Sequence, residues 1–307
     1  MSVDVTPLEM NVQVPVKAPA SPWRLAMRRF VKNRLALMGL IILIFMFIMS
    51  FAGPYLSPYT LEDITVADKN QAPSEAHWLG TDKLGRDILL RVMLAGRISL
   101  TVGLVATSIS VTIGATLGAL AGFYRKGIDA VIMRIADIFM ALPQLPILII
   151  LGAVLSDLKV DSGQRIYFLM FIIGVLGWTG LSRLVRGQIL SLREMEFMQA
   201  TEALGLRDRR KIFKHLIPNV VPIIIVSATL GVAGAILAES ALSYLGIGVV
   251  PPTPSWGNMI SAANNMIDFR KRPWLWIPPG LCILTTVVAI NLIGEGLRDA
   301  LDPKMKK

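Results

Sequence analysis

The sequence predicts an all-α polytopic membrane protein with six transmembrane helices and both termini in the cytoplasm. Three observations predict it. The chain is 54% hydrophobic and 17% charged over 307 residues, where soluble domains carry roughly 25% charge. Apolar runs near or above the roughly 18–20 residues that cross a bilayer as a helix recur along the whole length. Lys and Arg are shared unequally between alternate loops, 21 on one side and 10 on the other, and the richer side is cytoplasmic. That bias accounts for the net charge of +10 without nucleic acid. The single Cys282 lies within an apolar run and can form no internal disulfide.

Taken in order, residues 1–22 are rich in Pro, Val and Ala without periodicity and read as a tail. About 34 mostly polar residues precede the first apolar run, too long a lead for a cleavable signal peptide. The stretch 23–34 sets Trp23, Met27 and Phe30 at helical spacing among basic residues. It suits a helix lying on the anionic inner membrane face, and equally a plain basic flank. Six spans follow, at about 35–52, 98–123, 138–155, 166–181, 220–247 and 274–293. The third is expected to begin near Asp129 and to kink at Pro143 and Pro146. Arg134 and Asp137, three apart, are placed to pair. Trp256, Trp274 and Trp276 flank the last outer loop as interfacial anchors.

Between the fourth and fifth spans the chain builds the charged stretch EFMQATEALGLRDRRKIFKHLIPN, residues 196–219. Two short helices fit it. Residues 194–204 are good helix formers, Gly205 can end the first helix, Asp208 can cap the second, and Pro218 closes it. Ile212, Phe213, Leu216 and Ile217 share one side of the second helix, opposite a basic face. Thr201 and Gly205 are four apart with Ala200 adjacent, a helix end of little bulk onto which another surface can close. An ordinary amphipathic connector accounts for the same residues equally well.

QATEALG, followed after further basic residues by HLIPN, resembles the signature loop of ATP-binding-cassette importer permeases. That pattern is Glu-Ala-Ala, three residues, Gly, then an Ile-x-Leu-Pro end. Gln199, Ala200, Thr201 and Gly205 fall on its four defining positions and Pro218 on its closing proline. Gln199 stands for the usual Glu and Thr201 for the second Ala; Glu196 or Glu202 could supply the ionic contact that Gln199 lacks. The blocks HWLGTDKLGRDILLRVMLAGRISL (77–100), LAESALSYLGIG (237–248), PPTPSWGNMI (251–260) and GEGLRDALDPK (294–304) are similar to the permeases of dipeptide, oligopeptide and nickel importers. They look most like the partner with a long loop between its first two spans.

The resemblance implies the type I importer permease fold. Residues 1–34 would form a cytoplasmic tail and interfacial helix, and 35–97 the first span with a long extracellular loop. Residues 98–300 would form a five-helix core with a coupling loop at 194–218, and 301–307 a cytoplasmic tail. It implies a peptide importer in the cell (plasma or inner) membrane, with a homologous second permease completing a heterodimer. Two ATPase subunits would use ATP and Mg²⁺, one of them docking on Glu196, Gln199, Ala200, Thr201, Glu202, Gly205 and Leu206. An extracellular solute-binding protein would deliver the peptide. This chain would itself bind no cofactor or metal and catalyse nothing. Nickel or metal-chelate import is the alternative within the family. A stand-alone secondary transporter or channel is the alternative outside it, and predicts mirrored halves with broken or charged helices.

Three further groups bear on function. Gly80 and Gly85 in GTDKLGRD have the spacing of a phosphate-binding loop, but Arg86 and Asp87 replace its Lys and hydroxyl residue. An ion-pair cluster of Asp82, Arg86 and Asp87 that shapes the outer loop, near where a delivery protein docks, fits better. Glu239 is an ionisable residue inside a span, expensive unless paired or wet; the resemblance, in which an acid stands here across different substrates, implies a structural or gating role ahead of substrate contact. His77 and His215 fall on opposite sides of the membrane, so they share no metal site.

Overall fold

The computed structural model describes residues 22–301; the tails expected at 1–21 and 302–307 lie outside the described residues. The described chain is helical throughout, with one isolated bridge, Thr81 to Asp87. α1 (Pro22–Lys32) leads into α2 (Arg34–Phe51), and the Asn33 side chain caps α2 by accepting from the Leu35 and Ala36 amides. A long excursion, with 3₁₀ turns at Gly53–Leu56 and Val66–Asp68, then reaches α3 (Ile88–Tyr124). α4 (Lys126–Ala141), α5 (Gln144–Asp157), α6 (Ser162–Leu176) and α7 (Trp178–Arg193) follow. Next come α8 (Glu196–Ala203), α9 (Asp208–Arg210), a π-helical turn (Lys211–Leu216) and α10 (Ile217–Tyr244). α11 (Trp256–Ser261), α12 (Met266–Lys271), a 3₁₀ turn (Pro273–Leu275) and α13 (Ile277–Leu301) complete the chain.

Among the described residues, five stretches are long and apolar enough to cross a membrane: Arg34–Phe51, Ile88–Tyr124, Gly163–Arg193, Asp208–Tyr244 and Ile277–Leu301. α4 and α5 make a sixth if taken together, bent by 81° at the break between them. Pro143 causes that break, because its ring drives the preceding residue out of the helical region. Leu142 is extended, with ψ 127°. Pro146, expected to kink as well, sits in the first turn of α5, where a missing N–H breaks no bond. The second span starts ten residues earlier than expected, at Ile88, where Asp87 caps it through an Oδ1 bond from the Leu90 amide of 2.8 Å.

Pro218 does not close a helix. The chain runs helically from Asp208 to Tyr244. The π turn over Lys211–Leu216 widens the helix just ahead of the proline, so its ring clears the carbonyl one turn back. Asn219 Nδ2 donates to the His215 carbonyl one turn back, at 2.7 Å. The start of this helix is also one residue off: Arg207 occupies the cap position without a side-chain bond, and Asp208 is the first helical residue.

α3 is the hub, packing on α2, α6, α7 and α10. In lipid the hydrophobic effect between helices fades, so close backbone approach and dispersion hold them together. Gly114, Gly118 and Gly122 supply that approach to α7. A Cβ on them would stand 2.8 Å from the Trp178 carbonyl oxygen, 2.5 Å from that of Ser182 and 2.9 Å from that of Arg186. α2 packs on α13 by the same device, where a Gly39 Cβ would lie 2.7 Å from the Ala289 oxygen. α1 lays Phe30 against Ala36, Ile293 and Ala300 and leaves Trp23, Met27 and Val31 exposed. Trp256, expected as an interfacial anchor, is instead fully buried between α3 and α10, its Nε1 donating to the Val92 carbonyl at 3.0 Å. Trp274 and Trp276 are half-buried: Trp274 donates to the Thr81 carbonyl (3.3 Å), and Trp276 stacks on Phe269 at 4.8 Å.

Candidate functional site

The charged stretch folds as α8 and a turn. Gly205, at φ +64°, ends α8 in a Schellman arrangement: its amide donates to the Glu202 carbonyl (2.9 Å), and the Leu206 amide donates to that of Thr201 (3.1 Å). Glycine fits here because a left-handed φ strains an L side chain. A Cβ at Gly205 would meet nothing within 4 Å, so the space beside it is open. Glu196, Gln199, Ala200, Glu202, Leu204 and Gly205 are exposed and Leu206 is half-buried.

Thr201 is placed otherwise. It is buried, and its hydroxyl donates to the Met198 carbonyl at 2.7 Å. Met198 drives into a cluster with Phe123, Val185, Ile189, Ile212 and Leu216. α8 therefore has two faces: Met198 and Thr201 seat it on the bundle, and Gln199 and Ala200 look outward. Beyond it Leu204, Gly205, Arg207, Arg210, Phe213 and Lys214 line a concave surface with a basic rim. Phe213, expected on the apolar side with Ile212 and Leu216, is 66% exposed there.

Arginines tie this unit to the spans. Arg193 donates to the Phe123 carbonyl, lies over the Phe123 ring at 5.2 Å, and pairs with Glu202 at 3.5 Å. Arg125 pairs with Glu194, whose carboxyl the Arg125 hydrogen bond holds below its ordinary range. The pair expected between Arg134 and Asp137 is replaced by pairs across helices, Arg183 with Asp137 and Arg186 with Asp129 (2.5 Å). α7 runs beside α4 and offers each carboxylate an arginine from the neighbouring helix.

Glu239 is fully buried on α10 and satisfied by hydroxyls. Ser243 Oγ donates to Oε1 at 2.6 Å, and Ser99 Oγ on α3 donates to Oε2 at 2.9 Å. Both hydroxyls accept in turn from the loop that follows α10: Ser243 from the Val249 amide (2.9 Å) and Ser99 from the Trp256 amide (3.3 Å). One carboxylate thus joins two spans to the 249–258 segment. The sequence marks Glu239 but not Ser99, which lies 140 positions away along the chain, and it marks Trp256 only as an interfacial anchor.

In the cluster expected on the outer loop, Asp82 and Arg86 pair at 2.7 Å, with Arg91 Nε 3.6 Å from the same carboxylate. Asp82 Oδ1 also accepts the Leu84 and Arg86 amides (2.8 and 3.0 Å), filling the loop where a phosphate would have to sit. Gly85, at φ +77°, passes against the Thr65 backbone, whose oxygen a Cβ would approach to 2.0 Å. Asp87 is not part of this cluster: it pairs with His77 Nδ1 at 3.0 Å and caps α3. A second node, with no counterpart among the expectations, is Asp268. Burial raises its carboxyl, but hydrogen bonds from Lys83, Asn265 and Arg272 outweigh that and hold it below its ordinary range.

Comparison with known proteins places this architecture. Residues 114–307 match the family described as binding-protein-dependent transport system inner membrane component. Residues 21–73 match the N-terminal transmembrane domain of oligopeptide transport permease C. The dipeptide transport system permease of Alkalihalophilus pseudofirmus is 41% identical over 93% of this chain and 91% of that protein. The oligopeptide transport system permease of Bacillus subtilis is 39% identical over 95% and 92%, and that of Haemophilus influenzae 41% over 92% and 89%. With a glycine-seamed helical bundle and matches spanning nearly its full length, the chain belongs to the family of inner membrane components of binding-protein-dependent transport systems.

Proposed function

We propose that this chain is one of two membrane permeases of an ATP-driven peptide importer, and that the exposed side of α8 with its Gly205 turn seats a separate ATPase. The similarity to permeases named for dipeptide and oligopeptide transport supports the cargo. The loop geometry supports the coupling: an open surface beside Gly205 is bound through Met198 and Arg193 to α3, α7 and α10. The Lys and Arg bias supports cytoplasmic termini, with α8 inside and the 53–87 segment outside. A solute-binding protein delivers peptide to the outer face, and the peptide crosses between this chain and a homologous second permease.

The mechanism is a population shift. ATP-driven closure of the ATPases draws the seated loops together and favours the outward-open permease; release after hydrolysis restores the inward-open one. The cargo biases this equilibrium only by its differential affinity for the two states. The observation that carries the reading is the two-faced α8, held to the spans on one side and bare on the other. Ala200→Trp fills the bare face without straining the backbone. It is expected to lower ATP-dependent peptide uptake by about tenfold or more, the effect of losing about 1.4 kcal/mol of contact. Gly205→Asn keeps a residue that tolerates positive φ and is expected to retain most uptake. Uptake into proteoliposomes holding the full complex measures both; an Ala200→Trp complex that imports at the wild-type rate sinks the seat.

A further inference from the structure

α3, α5, α6, α7 and α10 line a half-open cavity of about 610 Å³, a size ordinary for ligand sites. Four neutral polar side chains reach its wall, Thr107, Ser110, Gln144 and Ser227, and no Asp, Glu, Lys or Arg does so among the described residues. Thr107 is 7% exposed, and its Oγ1 has no hydrogen-bond partner. Two other hydroxyls of α3 are satisfied within the helix itself. Ser108 and Thr112 each donate to the carbonyl one turn back, at 2.8 and 2.7 Å. A buried hydroxyl without a partner is destabilising unless something supplies one. Ser50, Ser182 and Thr286 also carry buried unpartnered hydroxyls, but Thr107 alone of the four lines this cavity.

The glycines are independent of that hydroxyl. A Cβ at Gly180 or Gly234 would meet nothing within 4 Å, whereas the α3 glycines facing α7 would clash. Helix packing therefore does not require glycine at either cavity position. They widen the chamber and bare backbone to whatever enters.

We infer that this cavity is a chamber of the transport path that takes the amide backbone of a peptide, with Thr107 Oγ1 hydrogen-bonding one peptide group; the inference rests on the peptide-import reading above. The chemistry selects that class. Hydroxyl and carboxamide groups both donate and accept, as a peptide unit requires. A wall without charge favours neither acidic nor basic cargo. Bare glycine faces accept side chains of different size, so recognition falls on the part all peptides share.

The test uses the full complex in proteoliposomes with ATP, its binding protein and radiolabelled trialanine. Thr107→Val keeps the volume and removes a hydroxyl that supports nothing in the fold. Its thermal midpoint and ATP hydrolysis are expected to stay at wild-type values or above, while uptake falls by about fivefold, the loss expected of one neutral hydrogen bond. Thr107→Ser keeps the hydroxyl and restores uptake. A photo-crosslinking side chain at Gly234 is expected to capture labelled trialanine during turnover. Wild-type uptake in Thr107→Val, or capture of the second permease in place of peptide, overturns the chamber. Wild-type protein that imports no peptide overturns the peptide reading itself, so the two failures are told apart.

Discussion

Glu239 shows what a single residue can hold together. Its carboxylate accepts from Ser243 on its own helix and Ser99 on α3, and each serine takes a backbone amide from the 249–258 segment. Glu239→Ala would leave both serines without an acceptor and open a hole in a packed interior. A loss of about 2–4 kcal/mol is expected. Glu239→Gln keeps the volume and a carbonyl acceptor, and its loss is expected to be nearer about 1 kcal/mol. Thermal unfolding of the purified protein in detergent ranks the two. Equal midpoints for Ala and wild type would show that the hydroxyl network contributes nothing to the fold. An acid in the middle of an apolar span draws attention in the bare sequence. Its partners are not legible there, because Ser99 lies 140 positions away and serines are unremarkable anywhere.

At the scale of elements, two kinds of glycine give opposite expectations. Gly118→Ala would bring a methyl within 2.5 Å of the Ser182 carbonyl oxygen, and neither backbone can move without separating α3 from α7. A loss of about 1–3 kcal/mol is expected, as for other overpacked sites. Gly280, in α13, has open space where its Cβ would stand. Gly280→Ala is therefore expected to be neutral or to stabilise by up to about 1 kcal/mol, through the unfolded chain's lost freedom. The same unfolding assay reads both, and a stabilised Gly118→Ala would refute the close seam. The four-residue spacing of Gly114, Gly118 and Gly122 is visible in the sequence, but no spacing names the helix that it receives. Proline behaves similarly. Pro143 breaks its span as the sequence implies, because its effect on Leu142 is local. Pro218 does not, because a π turn upstream absorbs the ring, and two residues of that turn, Ile212 and Leu216, are buried against other helices that no local pattern names. Ion pairs follow the same rule: spacing sees Arg134 beside Asp137, while the fold supplies Arg183 from α7.

For the whole molecule, hydropathy fixes the class and most of the spans, since crossing lipid demands long apolar helices. It does not settle the sided arrangement, which depends on loop charge. Orientation is directly measurable. In a Cys282→Ala background, Glu62→Cys is expected to react with a membrane-impermeant maleimide in intact cells, and Gln199→Cys only after permeabilisation. Both positions are exposed, so the labelling reports sidedness rather than burial. The reverse pattern would invert the protein and remove α8 from reach of any cytoplasmic ATPase.

One dimension of the bundle carries a consequence of its own. α3 has 37 residues and is about 55 Å long, well beyond the roughly 30 Å hydrocarbon slab. Its first turn is pinned by Asp87 beside His77, and its last holds Phe123, on which Arg193 rests. In the proposed importer, one tip of this single stiff rod would lie near the receiving mouth and the other beside the ATPase seat. There, receptor arrival and nucleotide burning would sense each other by tilting that rod, without a relay of small rearrangements in between.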